Sequence, residues 1–545
     1  MSIQYKNVSV RLAAHQSAKF VAGVAGISNT AAVVLFRLLV LNERVRPTSD
    51  IGKELVKADI VGTYGGLRPW LAGHLGETIS LLLDTAGADL LPQATPTSIE
   101  ALGHQLVKGK SGVSKAVRNV DRDMSKVGFT IDRRVLALAA TSDTLSKEDR
   151  MAVTILERDG LLSDTFYFPV SYDYRGRMYY RGGIITPQGG DFLKGVLMFA
   201  DKAPLGKHGR FALVQALADA CGFKGTKAEA MTWVKLTSLV DIANGTEGYQ
   251  AAGLACELVA LEQFVFDGGV EAEFESGVIC HMDATCSGLQ HAAAITGHRP
   301  TAELTNCTAR TASEGKADIY QSVADAWASN KRTMLGEFAA TYGRNMAKEA
   351  VMLIGYGAGK ETLKSHVDTF LEAQGQAIHW TPVEEELFMS VLERFCVASL
   401  AVKASVERAV HAAGTDGISW TTHDGFTVYQ SKEQGDVIEA GQFTMEFDKT
   451  WTEDVNITAV SPNFTHSLDA AQMREAVRLM KSKPVAAVHD SLGVRAGDYV
   501  EAAVAVREAF TRLQGKEILA ELAGSVALSG DYNPEEAKAS SYFWC

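Results

Sequence analysis

Seven cysteines occur in 545 residues, and none forms a Cys-x-x-Cys pair or a paired Cys/His spacing. That argues against a zinc module and a disulfide framework and fits a reducing cytoplasm, the expected location. The chain also lacks a membrane-length apolar run. Its longest apolar window, Phe20 to Leu41, is interrupted by Ser28, Asn29, Thr30 and Arg37, whereas a span needs about 20 mostly apolar residues. No acidic residue precedes Glu43. A transit peptide shares that feature, but this stretch carries little arginine and runs straight into helix-like periodicity, so none is expected. An overall basic excess is missing too, because the net charge is -12. This opposes a uniformly basic nucleic-acid binder, although binding follows where charge sits and not the total. Internal repeats and low-complexity tracts are likewise absent.

What is present is ordinary for a soluble globular protein: 46% hydrophobic and 22% charged residues, in a chain long enough for two to four subdomains. From Lys108 to Arg134 eight basic residues face three acids, which suits a solvated helix face as well as a phosphate-contacting one. Residues 1 to about 160 read as mostly helical, with AAVVLFRLLVL as a core helix and LLPQATPTS as a loop. The texture is mixed to about 300, strongly helical from 311 to 415, and mixed again from Ile418. The expected class is α+β, with helix-rich subdomains around a small antiparallel sheet.

Two His-Asp pairs sit at apparent hairpin apices, His489-Asp490 in PVAAVHDSLGV and His423-Asp424 in ISWTTHDGFTV. Asp-Gly is the stronger pure turn signal, so the second pair invites a structural reading. In CHMDATCSGLQH, Asp283 ends a strand-like run. Paired with a hairpin Asp on a neighbouring strand, it can hold two Mg²⁺ about 3.5 to 4 Å apart for phosphoryl transfer, and the Ala284 carbonyl can add a hard oxygen. The competing reading of Asp283 is a helix N-cap. In TYGRNMAKEAVMLIGYGAGKE, Arg344, Lys348, Met352 and Tyr356 recur at steps of four. One helix face then offers two cations for phosphates and an aromatic for a sugar, or else a solvated face ending in a core tyrosine. GYGAGKET imitates a phosphate-binding loop, but Ile354 and Glu361 stand where the pattern needs glycine and Ser/Thr, and a helix precedes it.

Taken in order, SYDYRGRMYY, TPQGGDFLKG, MDATCSGLQH, RNMAKEAVMLIGYG, TTHDGF, SPNFTHSLD and AVHDSLG resemble the single-subunit DNA-dependent RNA polymerases of bacteriophages and mitochondria. The aromatic ending YFWC is similar to that family's tail. The resemblance implies a right-hand fold, with a palm at 161–310 and 466–545, fingers at 311–465, and an abbreviated N-terminal and thumb-like region at 1–160. It makes Asp283 and Asp490 the metal-binding carboxylates, with Ala284 beside them, and Lys348 the proton donor to pyrophosphate. It places Arg344 and Tyr356 at the nucleotide, His466 at the ribose 2′-hydroxyl, and Arg177 and Lys194 along the template or substrate path. The implied partners are a DNA template, rNTPs, the RNA product and an accessory protein for promoter opening, with no membrane. A phage source is favoured over a mitochondrial one.

The chain departs from the family in places. Glu349 follows Lys348 where the family usually has a second basic residue, and the stretch between TTHDGF and PNFTHS, which in the family holds a promoter-reading hairpin, is short. The alternatives are a catalytically weak nucleic-acid-binding scaffold and a related DNA polymerase, whose hairpin usually carries Glu where this chain has Ser491. On this reading Asp490→Asn lowers synthesis by several orders of magnitude with folding retained, whereas Asp424→Asn is mild.

Overall fold

The computed structural model describes residues 114–544 except 143–144, 159–164, 181–184, 312, 415–417, 431, 441–442, 453–456, 482 and 527. The AAVVLFRLLVL helix, the loop near 91–98 and the basic residues Lys108 and Lys110 lie outside the described residues. The strands are β1 (Gly128–Ile131), β2 (Phe166–Tyr167), β3 (Val170–Tyr172), β4 (Met178–Tyr180), β5 (Leu197–Pro204), β6 (Glu275–Asp283), β7 (Ile418–Thr421), β8 (Thr427–Gln430), β9 (Lys432–Ala440), β10 (Phe443–Thr452), β11 (Val485–Val488) and β12 (Ser491–Arg495). Six form one antiparallel sheet in the order β11-β12-β6-β5-β1-β2, and β3-β4, β7-β8 and β9-β10 form separate hairpins. The architecture is therefore helix-rich α+β with small antiparallel sheets.

Side-chain alternation gives the main sheet two distinct faces. From β6, Val278, Cys280 and Met282 are buried on the side of the helices Gly209–Ala220 and Tyr249–Phe266. Ile279, His281 and Asp283 therefore point to the opposite face.

A second apolar core unites the helices Ile319–Ala328, Met334–Gly355, Lys360–Ala373 and Pro382–Phe395, with Trp327 stacked on Phe388 at 5.3 Å. The helix Ser287–Thr296 joins the two cores, giving Leu289 to the second and Ala292, Ala293 and Ile295 to the sheet. Its close approach to the Met334–Gly355 helix requires glycine at 288, because a Cβ there would lie 2.8 Å from the Gly355 carbonyl oxygen. That contact sets the end of one helix against the catalytic candidates on the other.

Three local expectations change. The stretch read as helical up to 160 contains β1, which pairs with β5 in the main sheet; a four-residue strand is too short to show its period against flanking helices. Asp283 is no helix N-cap, since it ends β6 and Cys286 occupies the cap. The Met334–Gly355 helix is broken at Gly343 (φ 52°, ψ -131°), and Tyr356 lies one residue past its end as the C-cap. Arg344, Lys348 and Met352 still share one face of the run after the break. Among the described residues no helix is long and apolar enough to cross a membrane.

Candidate active site

The His489-Asp490 pair forms the two-residue loop between β11 and β12, closed by the Val488–Ser491 pair. A loop this tight needs a positive φ, and His489 adopts it at 54°, a strained choice for a non-glycine residue. Its ring rests edge-on against Tyr179 at 5.2 Å. Asp490 is thereby carried to the hairpin apex. On the next strand Ser491 pairs with Asp283, and the Ala284 N–H donates to the Asp490 carbonyl at 3.4 Å. The two acids therefore sit side by side at one end of β6 and β12. An antiparallel bridge to Trp544 holds Ala284 from the other side.

Asp283 is exposed, whereas burial, with the Asp469 and Asp283 carboxylates nearby, pushes the Asp490 carboxyl up to about 6. The Ser287 hydroxyl lies 3.3 Å from Asp490 Oδ2 and 2.7 Å from the Tyr356 hydroxyl. Its one proton goes to the carboxylate, so Tyr356 donates to Ser287 and keeps an oxygen lone pair free. The Tyr356 ring meets the His466 ring at 4.5 Å, and burial foremost, then the charges of Asp469 and Asp490, drives its phenol far above the usual range. Arg175, held by Asp173, reaches His466 Nδ1 at 3.2 Å. Arginine only donates, so Nδ1 accepts and the ring proton resides on Nε2. Burial and the Arg177 charge push the His466 imidazole down to about 3, which keeps it neutral.

Two residues that no motif argument singled out stand beneath this network. Asp469 Oδ1 accepts from His291 Nε2 at 2.8 Å and Oδ2 from Arg177 Nη2 at 3.2 Å, all within the protein. Burial opposes charge on Asp469, but His291 and Arg177 outweigh it and hold the carboxyl below the usual carboxylate range. Arg177 Nε is buried without a partner. Both missed residues end motifs already quoted, MDATCSGLQH and SPNFTHSLD, which was the available signal.

The remaining candidates are more dispersed. Lys348 is exposed and has no ion pair among the described residues, and neither has the neighbouring Glu349. Arg344 is engaged, its Nε 2.5 Å from Asp318 and its guanidinium 4.9 Å from the Tyr320 ring centre. Lys194 lies in the helix Asp191–Val196, and burial, then its charge, pushes the His281 imidazole down to about 3. The P-loop mimic is occupied otherwise, since Lys360 pairs with Glu385.

The other His-Asp turn has a different fate. Asp424 accepts from Arg474 Nε at 2.6 Å and Nη2 at 3.0 Å, and Arg474 is 1% exposed. Burial disfavours the Asp424 charge, yet Arg474 and Thr422 hold the carboxyl below its ordinary value. This turn ties β7-β8 to the helix Ile457–Leu479. The turn is thus structural, as its sequence suggested, and Asp424→Asn is expected to act on the fold more than on synthesis.

Among the described residues no three His, Cys, Asp or Glu side chains converge as a closed metal cage. Mg²⁺ in phosphoryl-transfer sites commonly takes one or two carboxylates and completes its shell with phosphates and water. Adjacent Asp283 and Asp490, one exposed and the other raised by burial and then by neighbouring negative charge, fit that donor set. The family model for DNA-dependent RNA polymerase matches residues 243–541. A DNA-directed RNA polymerase of Pseudomonas phage phiKMV is 27% identical over 437 residues, covering 70% of this chain and 52% of the relative. The mitochondrial DNA-directed RNA polymerase 1 of Arabidopsis thaliana is 26% identical, covering 70% and 44%. The DNA-directed RNA polymerase of Enterobacteria phage T3 is 26% identical, covering 63% and 47%. The chain thus spans about half the length of the relatives it matches.

Proposed function

Because the chain belongs to the DNA-dependent RNA polymerase family, its model matching residues 243–541, we propose that it synthesises RNA from rNTPs on a DNA template. The observation that carries this reading is the placement of Asp283 and Asp490 side by side at the ends of β6 and β12. On the same reading residues 161–310 and 466–545 make a palm, 311–465 make fingers, and 1–160 hold an N-terminal and thumb-like region.

Asp283 and Asp490, with the Ala284 carbonyl, would hold two Mg²⁺, which when bound stabilise the attacking and leaving oxygens of nucleotidyl transfer. The protein's own groups do the rest. Lys348, exposed and without an ion pair among the described residues, neutralises the triphosphate and gives a proton to the departing pyrophosphate. Arg344 adds a second cation, positioned by Asp318. The Tyr356 oxygen and His466 Nε2–H present an acceptor and a donor to the sugar hydroxyl, fixed by Ser287 and Arg175. Arg177 is oriented by Asp469 toward the same space. An accessory protein for promoter opening completes the proposed partners. The test is incorporation of labelled rNTPs on single-stranded and duplex DNA with Mg²⁺. Absence of template-dependent RNA under all these conditions overturns the reading.

A further inference from the structure

Exposed apolar side chains are usually scattered singly, and where they cluster they mark a surface that something else covers. Among the described residues fourteen large apolar side chains are exposed, and five of them fall from Val259 to Val270, with Phe266 85% and Val270 56% accessible. These five are held together. Val259 and Phe266 stand seven residues apart on one face of the helix Tyr249–Phe266, and the loop beyond it folds back so closely that a Cβ at Gly269 would lie 2.3 Å from the Phe264 ring. Arg210 bonds Glu262 at 3.1 Å and Glu271 at 3.3 Å, which fastens the helix to the segment after Val270. The charges between and after the apolar residues are all acidic, Glu262, Asp267, Glu271, Glu273 and Glu275, against Lys202, Lys207 and Arg210 of the adjoining segment. From Leu236 to His298 there are nine acids and no Lys or Arg. Asp267, Glu273 and Glu275 have no ion pair among the described residues.

Such a surface repels a phosphate backbone, and the same face of a second copy would set acids against acids. What fits is an apolar segment with bases and no acid. We propose that residues 1–42 of this chain cover the patch. That segment holds Lys6, Arg11, Lys19 and Arg37, no acidic residue, and the apolar window Phe20 to Leu41. Seventy-one residues, 43–113, separate it from Ser114, about 107 Å even at the rise of a helix, whereas a folded body of about 430 residues is roughly 57 Å across. Reach is therefore no obstacle. The contact lies at the Glu275 end of β6, eight residues from Asp283, or about 26 Å, so it fastens the N-terminal region to the main sheet and leaves the acids of the candidate active site uncovered.

The test makes Phe266→p-benzoylphenylalanine, a photo-crosslinking side chain at an exposed position, in the full chain and irradiates a mixture of isotope-labelled and unlabelled protein. Mass spectrometry should find residue 266 joined to residues 1–42 of the same chain. Asp267→Lys with Glu273→Lys should lower that yield about fivefold, and adding Arg11→Glu with Lys19→Glu should restore part of it. High salt, which needs no further substitution, should lower the yield likewise. Products found only between labelled and unlabelled chains assign the patch to a second copy, and products only with residues outside 1–42, or none, leave it without this occupant; each of these results overturns the proposal. A yield insensitive to both salt and the charge swap overturns it too, because complementarity is what identifies the segment.

Discussion

The two His-Asp turns make opposite predictions for one chemical change. At Asp490 the carboxyl sits at about 6 where its ordinary value is 3.8, so at neutral pH its ionised form opposes folding by about 3 kcal/mol at most. The folded-state value lies above the unfolded one. The acid's favourable contribution is therefore present below about pH 4, declines as pH rises through the two values, and is gone above about 6. Asn is always neutral, so in chelator at pH 7 Asp490→Asn should raise the melting temperature and flatten its dependence on pH between 4 and 6. The same variant should lose RNA synthesis by several orders of magnitude, because a metal-ligating charge is gone. At Asp424 the partner is Arg474, 1% exposed and bonded through Nε at 2.6 Å. Asn leaves that guanidinium buried without its counter-charge, a loss of about 3 to 5 kcal/mol. Asp424→Asn should melt lower, yet its folded fraction at low temperature should still make RNA. Thermal unfolding in chelator and rNTP incorporation per folded molecule check both variants. An Asp490→Asn protein that melts lower, or an Asp424→Asn protein that is stable but inactive, would refute the assignment of the two turns.

Tyr356→Phe removes a hydroxyl bonded to Ser287 at 2.7 Å, so the preference for rNTPs over dNTPs, read as a ratio of kcat/KM, should drop by about 1 to 3 kcal/mol with polymerisation retained. Ser287→Ala, which frees that hydroxyl to turn, should reproduce part of the drop. Gly288→Ala puts a Cβ 2.8 Å from the Gly355 carbonyl oxygen; denaturant unfolding should show a loss of about 1 to 3 kcal/mol, and activity should fall further because Tyr356 follows Gly355. Phe543 is fully buried and packs tilted against Phe510 at 4.7 Å, while its carbonyl accepts from Gln290. Phe543→Ala should cost about 3 to 5 kcal/mol, with an activity loss at permissive temperature from the loosened Ala284–Trp544 bridge.

The parts of the fold that could be read in advance are those with local periodicity. The apolar runs on either side of His489-Asp490 specify β11 and β12, and a two-residue loop leaves their register almost no freedom. The helical stretch from 311 to 415 is equally plain in its spacing. Gly343 was not, because a glycine inside a helical pattern is usually tolerated and only a backbone at φ 52° reveals the break. β1 escaped for a related reason: GFTI earns its place through pairing with β5, a partner about 70 residues away in sequence, and short strands are decided by such partners more than by their own residues.

The site divides along the same line. Although the choice of Asp490 over Asp424 came from the family resemblance, Asp283 could be paired with a hairpin Asp from sequence because each ends or caps an apolar strand. His291 and Asp469 could not, since no spacing relates residues 178 apart that meet only where the helix Ser287–Thr296 packs against Ile457–Leu479. Once those helices are in place, the fold treats its buried acids unequally. Asp424 is paired with Arg474, and Asp469 with Arg177 while it also accepts from His291. Asp490 accepts from the Ser287 hydroxyl, and burial with the Asp469 and Asp283 carboxylates raises it by more than the Arg177 charge lowers it. Among the described residues Asp490 has no ion pair with an arginine, and it stands at the apex of a strained turn beside exposed Asp283. An acid without an arginine partner suits the divalent-cation site proposed for it, and in this it differs from Asp424, which Arg474 holds.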